Sequence, residues 1–121
     1  MTLRAIVLFA HGSRDPLWSR PVEAVAARIL ALDPSVLVAC AYLEMMEPDL
    51  PTVTRRLVQA GADRISIVPM FLGVGRHARE DLPKLIEALV REHHHIGFDL
   101  RQAIGEEQRV VDLMAEIALS S

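Results

Sequence analysis

Three side chains able to bind a metal or move a proton stand just beyond apolar runs. His11 follows Leu3–Ala10 in "LFAHGSRDP", Glu44 follows Val36–Tyr42 in "AYLEMMEPD", and His77 comes after Arg64–Phe71 in "MFLGVGRHARED". Two imidazoles and a carboxylate make a borderline-soft N/O ligand set for a divalent transition metal. The same groups accept protons near neutral pH. Each has a plainer reading too. His11 fits a loop histidine bonded to backbone, although Gly12 and Ser13 leave its ring reachable. His77 taken alone fits a structural role, and Glu44 a solvated loop carboxylate. Glu47 suits the start of the next helix, where the dipole favours an acid.

Whether these residues meet depends on the elements that carry them. The chain reads as four similar units, each an apolar run, a loop and an amphipathic helix. "LRAIVLFA" has the pattern of a strand buried on both faces. Val22, Val25, Ala26, Ile29 and Leu30 then recur at helical spacing, and Pro16 and Pro21 place the regular start of that helix between Leu17 and Pro21. Val36–Tyr42 leads to a helix near Leu50–Ala60, closed by Gly61. Arg64–Phe71 leads to a third helix with the stripe Leu82, Leu85, Ile86, Leu89 and Val90. Ile96–Gln102 alternates as a half-exposed edge strand. A fourth helix over Glu106–Leu119 is expected to face Val110, Val111, Met114 and Ile117 inward.

Strand–helix alternation with short loops implies an α/β fold of three layers, with a four-stranded parallel sheet and helices on both faces. The simplest doubly wound order is 2-1-3-4, a flavodoxin-like arrangement whose switch point lies between strands one and three. Ligands of such folds bind beyond the carboxyl ends of the strands there. That order makes His11 and His77 neighbours and brings Glu44 to the same end of the sheet. The first loop adds Ser13, Arg14 and Asp15, and the third adds Gly73, Gly75, Arg76 and Arg79. Asp15 and Asp81 are expected to cap or precede helices one and three. Gly73 and Gly75 offer positive φ or close approach of a ligand. Met45 and Met46 are packing residues or a soft wall for a flat ligand. His93–His95 falls at the opposite end of the sheet and reads as incidental surface.

Composition narrows the field. The 121 residues suffice for one domain, residues 1–121, with a single core. A net charge of −3 supplies no field for nucleic acid, and 4% aromatic residues supply no stacking surface. Neither "HGS" nor "GVG" completes a dinucleotide fingerprint or phosphate loop, so no organic cofactor is expected, and the G-x-S-x-G elbow is absent. The amino-terminal apolar run is too short for a signal peptide, and no stretch is long enough to span a membrane. Cys40, the only cysteine, reads as a buried inert thiol in a reducing cytoplasm.

"LFAHGSRDP", "AYLEMMEPDLP" and "VPMFLGVGRHAREDLP", in that order, resemble the small sirohydrochlorin cobaltochelatases and the related sirohydrochlorin ferrochelatases. The resemblance implies a class II chelatase-like domain that inserts Co²⁺, or alternatively Fe²⁺ or Ni²⁺, into the metal-free tetrapyrrole sirohydrochlorin. It implies that His11 and His77 bind the metal and that Glu44 is a ligand or proton acceptor. It also implies a homodimer in which two lobes enclose the cleft. Arg14, Arg76 and Arg79 would then meet the carboxylates of the macrocycle, with Ser13, Met45, Gly73 and Gly75 along it. The plain alternative for each arginine is a solvated charge. Longer members carry a histidine-rich segment, for which His93–His95 is no substitute. A non-catalytic metal or tetrapyrrole carrier would use the same crevice. A receiver-type signalling module is disfavoured, because His11 stands where an acidic cluster would follow strand one.

Overall fold

The runs "RAIVLFA", "LVACAY" and "RISIVP" are apolar on both sides of the chain, so each needs cover on two faces. In a computed structural model, which describes residues 2–121, they become Arg4–Ala10 (β1), Leu37–Tyr42 (β2) and Arg64–Pro69 (β3). Gly97–Leu100 adds a short fourth strand (β4), and the sheet is parallel with order β2-β1-β3-β4. Val7 at its centre pairs with Ala39 on one side and Ile67 on the other. The expected order and the β1/β3 switch point are both present.

Alternation along the strands divides the core. Ala5, Val7, Phe9, Ala41, Ile65 and Ile67 face Leu50–Gln59 (α2) and Arg76–Glu92 (α3), which contribute Leu50, Val53, Leu57, Leu82 and Leu89. Leu8, Ala10 and Tyr42 face Arg20–Leu32 (α1) through Val22, with Ala26 and Ile29 half-buried beside it. Each fully buried aliphatic or aromatic side chain stabilises by about 1.5–3 kcal/mol, so the first, larger cluster dominates.

Local signals explain the helix ends. The Asp49 carboxylate accepts from the Thr52 amide at 2.8 Å and caps α2. That bond is also why its carboxyl sits below its ordinary value. Gly61, at φ +102°, ends the same helix in the left-handed conformation a side chain resists. Asp15 accepts from the Leu17 amide at 2.9 Å in a turn that precedes α1, whose N-cap is Ser19. Glu47 lies outside α2, in the loop before Asp49, so it does not start that helix.

Four further expectations need correction. α3 begins at Arg76, ahead of Asp81, because Ala78 and Leu82 are both buried and extend the apolar stripe. Asp81 is therefore inside the helix and caps nothing. Pro83 is inside it as well, and its missing N–H leaves the Arg79 carbonyl without a helical donor. His93 is not a surface residue: it ends α3, is 9% exposed, and its ring lies 6.3 Å from that of Phe98. His94 and His95 are exposed.

Gln108–Leu119 (α4) departs most. It follows a 3-10 turn at Ile104–Glu106 and packs on that turn, and none of its residues is buried. Ile117 is 61% exposed, and Val111 and Met114 are exposed too. Helical spacing defines an apolar face without saying what covers it. Cys40 is half-buried rather than buried; burial, then the charge of Glu23, pushes its thiol up.

Candidate functional site

Pairing between β1 and β2 runs on past the strand ends. The Leu43 amide donates to the Ala10 carbonyl at 2.9 Å, and the Glu44 amide donates to the His11 carbonyl at 3.0 Å. The Glu44 loop is thereby fastened to His11 in the first loop. The closeness leaves no room for a side chain between them. Gly12 has φ +97°, and a Cβ there would stand 1.9 Å from the Glu44 carbonyl oxygen. Only glycine meets both conditions. Beyond it Met45 holds φ +64°, which turns the loop outward and leaves its side chain exposed.

On the other side of β1, the Met70 amide donates to the Phe9 carbonyl at 2.7 Å, carrying the β1/β3 pairing forward. Phe71 is buried there, and its ring lies 4.7 Å from the imidazole of His11 at 41°. A tilted contact at this distance orients one ring against the other. This contact with the candidate site is one that sequence reasoning missed. Its signal was an aromatic two residues past a buried strand, read simply as the strand's end.

His77 is the second residue of α3 and is exposed, as are His11 and Glu44. The three thus stand at the carboxyl ends of β1, β2 and β3, on an open surface. Among the described residues, no three His, Cys, Asp or Glu side chains form a ready cation site. A concavity of about 280 Å³, lined by Leu43, Asp81, Lys84, Leu85 and Ala88, joins the β2 loop to α3 beside them.

The surrounding residues differ in how free they are. Arg14 and Arg79 are exposed, whereas Arg76 pairs with Glu80 at 3.2 Å on the helix surface. An exposed pair of this kind holds weakly and gives way to a competing carboxylate. Ser13 accepts from the Asp15 amide at 3.1 Å through its hydroxyl oxygen. Gly73 and Gly75 have no positive φ, contrary to one expectation, and a Cβ at either would meet nothing within 4 Å. They leave space free at the rim. Met45, 55% exposed, and Leu72, 69% exposed, give this end of the sheet uncovered apolar surface. Met46 instead packs into the α1-side core. The arrangement offers imidazole and carboxylate groups on an open face, with apolar patches and cations around it: the chemistry to hold a divalent ion exchangeably beside a flat anionic ligand.

A family model described as CbiX matches residues 5–120. A sirohydrochlorin cobaltochelatase of Methanococcus maripaludis is 34% identical over 84 residues, 69% of this chain and 58% of that protein. One of Methanococcus aeolicus is 35% identical over 92 residues, 76% of this chain and 64% of that protein. The chain therefore spans less than two thirds of either relative. Among solved structures, the CbiX protein of Marinobacter aquaeolei superposes with a TM-score of 0.83 at 33% identity, over 97% of this chain and 95% of that one. The sirohydrochlorin chelatase SirB of Bacillus subtilis subspecies spizizenii, solved with cobalt, superposes at 0.82 with 25% identity. That match takes in 98% of this chain but 51% of SirB. SirB from Bacillus subtilis has also been solved with Fe³⁺. Sheet order and a family match over nearly the whole length agree, and the chain belongs to the CbiX family.

Proposed function

We propose that this protein is a sirohydrochlorin cobaltochelatase: it places Co²⁺ in the metal-free macrocycle and releases the two inner N–H protons. The observation that carries this reading is the backbone bond from Glu44 to His11, which sets a carboxylate-bearing loop against an imidazole at the β1/β3 switch point. His11 and His77, as neutral imidazoles, hold the incoming ion, and their modest affinity lets it leave for the pyrrole nitrogens. Glu44, or an imidazole once it has given up the metal, takes the protons. Arg14, Arg79 and Arg76 receive the carboxylates of the macrocycle, with Ser13 at the loop and Met45 against its flat face. Gly73 and Gly75 leave room for its edge.

One face cannot enclose a macrocycle. A chain matching half of SirB is suited to work as a homodimer, with residues 1–121 as one chelatase-like domain and a second copy closing the cleft. A cytoplasmic setting fits a half-buried free thiol with no disulfide.

The test is the absorption change on mixing protein, sirohydrochlorin and Co²⁺, with Fe²⁺ and Ni²⁺ in parallel. Catalytic insertion of Co²⁺ faster than in protein-free buffer is the expected result. A preference for Fe²⁺, the ferrochelatase reading that iron-bound SirB favours, would reassign the metal. Stoichiometric binding without turnover would make the protein a carrier. No acceleration with any ion would overturn the enzyme.

A further inference from the structure

His77 stands at the head of a row on α3. Asp81, Lys84 and Ala88 follow it four, seven and eleven residues on, so helical spacing puts all four on one flank. That flank faces Leu43 of the β2 loop, and Leu43, Asp81, Lys84, Leu85 and Ala88 line the concavity of about 280 Å³ between them. A smaller hollow of about 180 Å³ shares Leu43 and Leu85 and runs on to Asp49, Leu50 and Pro51 at the start of α2. The two make a furrow between α2 and α3, beside the candidate site.

One wall is held from the sheet. Leu43 adjoins Glu44, and its amide donates to the Ala10 carbonyl at 2.9 Å, while its side chain stays exposed. The facing wall carries Lys84, the one cation among the described residues that line either hollow. Lys84 is exposed, and among the described residues it forms no ion pair within 4 Å. Two acids line the furrow as well. Asp49 is engaged by the Thr52 amide at 2.8 Å, and Asp81 lies between Lys84 and His77 along the helix. An anion is therefore repelled along most of the furrow and attracted at a single point.

The span matches the macrocycle of the proposed reaction. Seven residues of helix set Lys84 about 10.5 Å along the axis from His77. The carboxylate of a two-carbon arm lies about 8–9 Å from the centre of a metallated ring, by bond lengths. The flexible four-carbon stem of a lysine covers the difference.

We infer that Lys84 binds one carboxylate arm of the macrocycle, with Leu43 and Leu85 against the methylenes of that arm. The contact fixes how the ring is turned about the metal. It rests on the chelatase reading for the identity of the ligand, and adds to it a residue that acts on the macrocycle and not on the ion.

Binding of metal-free sirohydrochlorin to the full chain, followed by the fluorescence of the macrocycle, tests this without turnover. Lys84→Gln should raise Kd about 5–10-fold through the loss of one charge-assisted contact. Lys84→Arg keeps the charge and should stay within about twofold of the parent. Titration with Co²⁺ alone should be the same in parent and variants. Arg91→Gln removes a charge of α3 that lies outside the furrow and should leave Kd as it was. An unchanged Kd in Lys84→Gln, or no recovery in Lys84→Arg, overturns the inference. So does an equal rise in Arg91→Gln, which would make the effect one of net charge, or weaker Co²⁺ binding in Lys84→Gln, which would put Lys84 with the metal. Failure of the chelatase reading looks different. A parent protein that binds the macrocycle but inserts no metal loses the enzyme and keeps the Lys84 contact; one that binds no macrocycle loses both.

Discussion

The amide of Glu44 donates to the carbonyl of His11 at 3.0 Å, and Gly12 lies so close that its hydrogen faces the Glu44 oxygen. Two loops separated by a helix and a strand are therefore one piece of backbone at the site. Movement of either reaches the other.

Gly12→Ala tests that junction. The new Cβ must displace the Glu44 carbonyl and hold a left-handed φ, a strain on the order of 1–3 kcal/mol. Urea unfolding should report a loss of that size, and Co²⁺ insertion should fall because the Glu44 loop is pushed away. An unchanged midpoint and rate would show that the junction carries neither stability nor activity.

His11→Ala and His77→Ala should each slow insertion by about 10²–10⁴-fold. Both side chains are exposed, so far-UV circular dichroism should stay that of the parent. Wild-type rates in both variants would remove the two histidines from the site.

Phe71 separates packing from orientation. Phe71→Ala opens a buried space and is expected to cost about 3–5 kcal/mol. Phe71→Leu keeps most of the volume, at about 1–1.5 kcal/mol, but loses the ring that faces His11 at 4.7 Å. A Leu variant that stays folded and inserts metal slowly is the expected result. Full activity in that variant would leave Phe71 a core residue alone.

Asp49 gives a pH signature. Its hydrogen bond to Thr52 lowers its folded pKa below the ordinary 3.8, so its stabilisation is complete above that value. The contribution is lost as pH falls further, through the lowered folded value. Asp49→Ala should cost about 1 kcal/mol at neutral pH through the lost cap. The difference between variant and parent should shrink in acid below pH 3.8, and chemical denaturation across that range would reveal a constant difference if the cap were not involved.

The strands were legible because their apolar runs permit little else, and four of them separated by helices leave few parallel orders. That order alone set His11, Glu44 and His77 at one end of the sheet. The contacts between loops were not legible, since Phe71 against His11 depends on how far β3 runs beyond its ladder. The early start of α3 was hidden because "GRHAREDLP" offers an acidic pair and a proline that mimic a helix entry, while the buried Ala78 is too small to announce itself. α4 shows a different limit. Its period of apolar residues was read correctly, but its partner was assumed to be its own sheet. In "HHH", composition could not tell the buried His93 that ends a helix from its two exposed neighbours.

Pro83 bears on how firmly the candidate site is held. His11 and Glu44 are anchored through strand-like bonds to the centre of the sheet, a stiff footing. His77 rides on the first turns of α3, and the break in the hydrogen-bond ladder at Pro83 separates those turns from the rest of the helix. The candidate site thus joins a side anchored in the sheet to a side carried on a helix whose hydrogen-bond ladder is interrupted. Any give at this end of the sheet is therefore expected on the His77 side, within two turns of helix.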